Sequence, residues 1–229
     1  IGAIEAEIPV SRKTLFVVLG LALLIAAGGI GYYFTSGSSN TASAKGYEIL
    51  PSDRTLGNRN AKVVLIEYAA LTCPVCANFN AGTFPRLKTD YIDTGKILYV
   101  FRLFPLRSDD GSAEKIARCL PEDKYFAFID LLFKNQPKWD WEYGLKPPEV
   151  REGLVLLGRI AGMSREQVDQ CMVNEAEDDR INQVSSEAQS RYSVNATPTF
   201  ILNGTSIGSG NIPFDSLSKL LDTEIAKQK

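Results

Sequence analysis

Val63-Val64-Leu65-Ile66-Glu67-Tyr68-Ala69-Ala70-Leu71-Thr72-Cys73-Pro74-Val75-Cys76 decides how the chain is read. Residues 62–69 predict a buried central strand, because β-branched side chains and a continuous apolar centre suit a strand covered on both faces. The next residues predict a helix over 73–90. Thr72 is the expected N-cap, Cys73 the first helical residue, and Pro74 lies in the first turn, where its missing N–H costs little. Two cysteines spaced by two residues at such a junction read as a redox dithiol. Helix N-terminal N–H groups favour a thiolate, so Cys73 is the expected nucleophile and Cys76, one turn deeper, the resolving thiol. No basic residue lies inside the motif, so the depressed acidity rests on helix geometry. Glu67 is out of character for its strand. It reads either as an edge residue facing water or as a buried carboxylate that relays a proton from Cys76.

Composition removes most rival chemistries. The 229 residues contain no histidine, which excludes His-ligated metals and His-based triads. A zinc site would have to gather all four cysteines, and a structural disulfide inside the motif would close a tight loop. Neither a metal nor a cofactor is expected. The net charge of -2 gives no electrostatic reason to expect nucleic acid.

Residues 15–34, LFVVLGLALLIAAGGIGYYF, carry no charge and follow Arg12-Lys13. Twenty such residues are long enough to cross a bilayer, and the basic pair predicts a cytoplasmic N-terminus. The expected organisation is a cytoplasmic segment at 1–14, a transmembrane anchor at 15–34 and a linker at 35–45. A cleaved signal peptide ending near Ala44 is the alternative. Either reading places the remainder on the oxidising side of the membrane. With the anchor kept, the catalytic domain is periplasmic on the inner membrane. With the segment cleaved, the chain is secreted or periplasmic.

Beyond the dithiol, residues 46–61 read as a short strand and turns, and 97–104 as a second buried strand. Strand, helix and strand form a right-handed βαβ unit. From 112 to 191 the period becomes helical, with Ser164-Arg165-Glu166-Gln167 at capping-box spacing. Cys119 and Cys171 fall on two of these helices. A structural disulfide between them is the first reading and two buried thiols the alternative. Strand composition returns at Thr199-Phe200-Ile201-Leu202, and Asn203-Gly204 signals a hairpin. Pro198, just before that strand, fits either a trans proline at a strand start or a cis Thr197–Pro198 turn. An amphipathic helix from Pro213 closes the chain.

These features in this order resemble the DsbA-like branch of the thioredoxin superfamily, over about 46–229. The resemblance implies an α/β thioredoxin fold at 46–111 and 190–229 with an all-helical insertion at 112–189, here preceded by an N-terminal transmembrane helix. It implies Cys73 and Cys76 as the catalytic pair, Thr197 and Pro198 as a cis-proline substrate-docking loop, and a buried Glu67. The implied activity is a thiol:disulfide oxidoreductase that introduces disulfides into exported proteins. The implied partners are reduced exported proteins, a quinone-linked DsbB-like membrane oxidase, and the membrane itself through the anchor. Val75 stands where the best-known members carry histidine. An extra cysteine pair in the helical domain resembles a variant of some alphaproteobacterial relatives. A reductase or isomerase using the same dithiol, and an anchored non-catalytic peptide-binding or assembly factor, are the competing functions.

Overall fold

β2 (Val64–Ala69) is buried at all six positions. In the computed structural model, which describes residues 47–228, it is flanked by β3 (Leu98–Leu103) and β4 (Thr199–Leu202). β1 (Arg54–Gly57) and β5 (Thr205–Ser209) form the edges of a five-stranded sheet ordered β1-β3-β2-β4-β5. β3 runs parallel to β2, and the remaining pairs are antiparallel. The parallel pair needs a crossover, supplied by α1 (Pro74–Leu87). Asn203 and Gly204 both take positive φ, 47° and 85°. That is the backbone a two-residue hairpin between β4 and β5 requires.

Side chains alternate across the sheet. Val64, Ile66 and Tyr68 join Leu98, Val100 and Ile201 in one cluster, closed by Val184 and Ala188 of α6 (Glu175–Tyr192). On the other face Leu65 and Ala69 join Tyr99, Phe101, Phe200 and Phe79 of α1. α7 (Phe214–Ala226) also buries Leu217 and Leu221 there. Arg102 crosses the first face with its charge matched by both carboxylate oxygens of Asp53, at 2.9 and 2.8 Å. It also donates to the Tyr68 hydroxyl at 2.9 Å, which fastens the segment before β1 to the sheet.

Between β3 and β4 lie α2 (Ser108–Cys119), α3 (Tyr125–Lys134), α4 (Pro147–Ile160), α5 (Arg165–Met172) and α6. This is a thioredoxin fold with an inserted set of helices. α2 begins at Ser108, earlier than the helix expected after Ser112. The reason is Asp110, whose carboxylate accepts the Leu106 and Arg107 N–H groups at 2.9 and 3.0 Å and caps the start. Gly153 of α4 sits where a Cβ would come within 1.9 Å of the Lys138 carbonyl oxygen, so only glycine lets α4 approach that loop.

The transmembrane part of the expected architecture is corrected. Among the described residues no helix is long and apolar enough to cross a membrane. The apolar run at 15–34, on which the anchor and the inner-membrane location rested, lies outside those residues. The membrane is therefore not retained as a partner or as the location.

A disulfide joins Cys119 at the end of α2 to Cys171 in α5, across 52 residues of sequence. Closing a loop of that length restricts the unfolded chain and contributes about 3–4 kcal/mol. Replacing both cysteines by alanine is expected to lower the urea midpoint accordingly while leaving the Cys73 thiol titration in place. Equilibrium unfolding of the two proteins checks this.

Candidate active site

α1 starts on the nucleophile itself. Cys73 has extended backbone (φ -76°, ψ 118°) and is the N-cap, with Pro74 following in the first turn. Its Sγ accepts the Cys76 N–H at 3.3 Å, one of the orphan donors at a helix start. The expectation that Thr72 caps this helix is thus corrected. Thr72 is turned the other way, giving its N–H and hydroxyl to Asp110 at 2.7 and 3.1 Å. Proline explains the shift. It has no N–H to donate and its fixed φ suits the first helical position, which moves the cap to the residue before it.

Opposite the thiol lies the Thr197–Pro198 loop, whose peptide bond is cis. The Cys73 thiol donates to the Thr197 carbonyl oxygen at 3.4 Å. The Thr197 hydroxyl is buried and has no hydrogen-bond partner among the described residues. It is placed to serve a thiolate instead. Cys73 is 6% exposed and its neighbour Val75 38%, so the nucleophile lies just below an apolar lip.

The two thiols have opposed acidities. Hydrogen bonding from Cys76 does most to favour the Cys73 thiolate, burial opposes it and Thr197 assists, which together bring its pKa down to about 6. Cys76 is fully buried, and burial first, then its hydrogen bond to Cys73 and the charges of Cys73 and Glu67, push it far up. Both are free thiols here.

Glu67 is 2% exposed, with β3 on one side and β4 on the other, which excludes the edge position. By strand alternation it points to the face that carries α1. Burial raises its carboxyl, a hydrogen bond from the Tyr99 hydroxyl at 2.5 Å opposes this and the Cys73 charge adds to it, which together bring its pKa up to about 8.

Three side chains that the sequence did not single out shape the site. Asp110 collects four donors and fixes the loop before the dithiol. Gln136 donates to the Leu71 and Cys73 carbonyl oxygens at 2.7 and 3.2 Å from the loop after α3. Tyr99 holds Glu67. Only Tyr99 carried a signal, since it shares a strand face with Phe101 and so looks toward α1. Asp110 sits in a run that reads as a polar turn, and Gln136 in one that reads as a loop.

A dithiol at a helix start, with one acidic and one suppressed thiol, defines a thiol–disulfide exchange protein. A family model described as thioredoxin matches residues 50–223. The chain is 33% identical over 189 residues to a protein-disulfide oxidoreductase of Rickettsia bellii, covering 80% of this chain and 68% of that protein. The counterpart in Rickettsia felis is 32% identical, and the chain spans only 64% of its length. Among solved structures, α-DsbA1 of Wolbachia pipientis superposes with a TM-score of 0.68 at 30% identity, covering 78% of this chain and 94% of that one. The chain belongs to the thioredoxin family, in its DsbA-like branch of thiol–disulfide oxidoreductases.

Thiolate absorbance of the reduced protein is expected to rise with a midpoint near pH 6, in one step belonging to Cys73. Because this folded-state pKa lies below that of an unfolded thiol, the thiolate stabilises the reduced fold above the unfolded pKa. That contribution is lost as the pH falls through about 6. Paired absorbance and denaturation titrations read both effects, and a midpoint above 8 overturns the assignment.

Proposed function

We propose that the chain oxidises dithiols of exported proteins through its Cys73–Cys76 disulfide. The observation that carries this is the opposition of the two thiols. A stabilised Cys73 thiolate favours the reduced form of the couple, and a couple whose reduced form is favoured is a strong oxidant. The Cys119–Cys171 disulfide suits the same oxidising compartment.

In the forward reaction a substrate thiolate attacks Cys73 Sγ. The Cys73–Cys76 bond breaks and its electron pair leaves on Cys76, which takes a proton from neutral Glu67. A second substrate thiolate then attacks the substrate sulfur of the mixed disulfide, and Cys73 leaves as the stabilised thiolate. The substrate has lost two electrons and the enzyme has gained them. Thr197 and Pro198 line the mouth where an extended peptide docks, with backbone groups as the sequence-independent contact. Reoxidation runs the protein's steps in reverse against a disulfide-donating partner of the DsbB-like class. Glu67 then accepts the Cys76 proton.

A Cys73 pKa of about 6 lies between those of thioredoxin (about 7) and DsbA (about 3.5), so the couple is expected between about -270 and -120 mV. Equilibration with glutathione measures it, and a value at or below thioredoxin's sinks the oxidase direction. Replacing Cys73 by serine is expected to abolish oxidative refolding of a reduced substrate. Replacing Cys76 by serine should leave Cys73 able to form mixed disulfides that accumulate unresolved.

A further inference from the structure

We infer that Tyr99 is a positioning residue for this exchange, its hydroxyl holding the Glu67 carboxylate ready to take the proton of Cys76. The inference rests on the role proposed above for Glu67 and adds the group that keeps that role available at neutral pH.

The geometry is specific. β2 and β3 are parallel neighbours, with Tyr99 opposite Leu65 and Glu67 opposite Phe101. The tyrosine therefore reaches along the sheet, and its O–H meets Glu67 Oε2 at 2.5 Å. Both residues are at least 97% buried. The rings of Phe84 and Phe126, 5.1 and 6.1 Å from that of Tyr99, flank it on the helix side. The titratable groups facing the pair are Cys73 and Cys76 from α1 and Tyr125 from α3, whose own hydroxyl is held by Glu114 of α2 at 2.7 Å. Phe101 and Phe200, beside Glu67 on β3 and β4, are uncharged. No cation is among these groups. An isolated carboxyl in such surroundings stays neutral. A neutral carboxyl serves the step in which Cys76 leaves but not the step in which Cys76 must lose its proton. A donor that bonds to the carboxylate form restores the second capacity without adding a positive charge that would abolish the first.

The resolving step isolates the effect. Reduced protein mixed with 5,5'-dithiobis(2-nitrobenzoate) forms a mixed disulfide at Cys73. Cys76 then attacks Cys73 Sγ, the Cys73–Cys76 bond forms, and thionitrobenzoate leaves with the electron pair. The rate of this second release against pH reports deprotonation of Cys76. The unsubstituted protein is expected to show an inflection somewhat below the value of about 8 that Glu67 has beside the charged Cys73, since the mixed disulfide removes that charge, and Glu67→Gln to lose it. Tyr99→Phe should move the inflection upward by about one pH unit or more, the size of a lost hydrogen bond to a charged acceptor. Glu67→Gln/Tyr99→Phe should match Glu67→Gln alone. Fluorotyrosine at position 99, a stronger donor of nearly the same shape, should move the inflection downward and serves if phenylalanine impairs folding. An inflection unmoved by either change at Tyr99, with Glu67→Gln still abolishing it, overturns the inference and leaves Glu67 in place. An inflection that survives Glu67→Gln overturns both.

Discussion

The Cys76 N–H bonded to Cys73 Sγ is the contact on which the site's behaviour depends. It makes one sulfur both the cap of α1 and the nucleophile. A helix start exposes donors and partial positive charge, so the sulfur is favoured there most when it is anionic. Oxidation to the Cys73–Cys76 disulfide removes that anion and with it the best cap available to the helix. The helix start thus favours the Cys73 thiolate together with the Cys76 thiol and Thr197, and no charged neighbour is needed. Val75 adds an apolar surface and a backbone N–H beside the sulfur, and the lowered pKa comes first from hydrogen bonding by the Cys76 thiol, then from Thr197 and the N–H groups of the helix start.

Such a cap works only if the loop leading to it is rigid, and the inserted helices supply the rigidity. Asp110 draws Thr72 away from the helix by accepting its N–H and hydroxyl, while two more N–H groups hold the carboxylate from its own side. Burial pushes the Asp110 carboxyl upward in pKa and these four bonds counter it. Gln136 pins the carbonyls on either side of Thr72. The insertion therefore orients the nucleophile through backbone contacts, without placing a reactive group of its own beside it.

Much of this architecture was legible in the sequence where one rule dominates locally. The apolar run of β2, the Asn203-Gly204 turn, the Ser164 capping box and the spacing of the dithiol each follow from short-range chemistry. The hydroxyl of Thr72 satisfies the usual preference for an N-cap, yet a tertiary partner, Asp110, outbids that preference by offering a buried carboxylate 38 residues away. Ser108-Asp109-Asp110-Gly111 reads as a polar turn because nothing in it announces that Asp110 will cap its own helix. Gln136 and Tyr99 act across the fold, and a single sequence carries no record of such pairings. The 15–34 run shows the opposite limit. Its composition alone prompted a membrane reading, which the helices of 47–228 do not support.

An ionisable carboxyl in the central strand is costly, and its persistence there follows from what the dithiol lacks. Cys73 needs no base, since the helix start already favours its anion. Cys76 sits one turn further in, where the same burial that protects it from solvent also holds its proton. A leucine at position 67 would suit β2 better in packing terms, but it would leave Cys76 with no proton partner inside a water-excluding site. In the mechanism proposed above, Glu67 breaks the apolar pattern of its strand because Cys76 must gain and lose a proton inside a water-excluding site. On that proposal one buried acid and one neutral donor meet the requirement, and among the described groups facing them no cation fixes the acid in a single state.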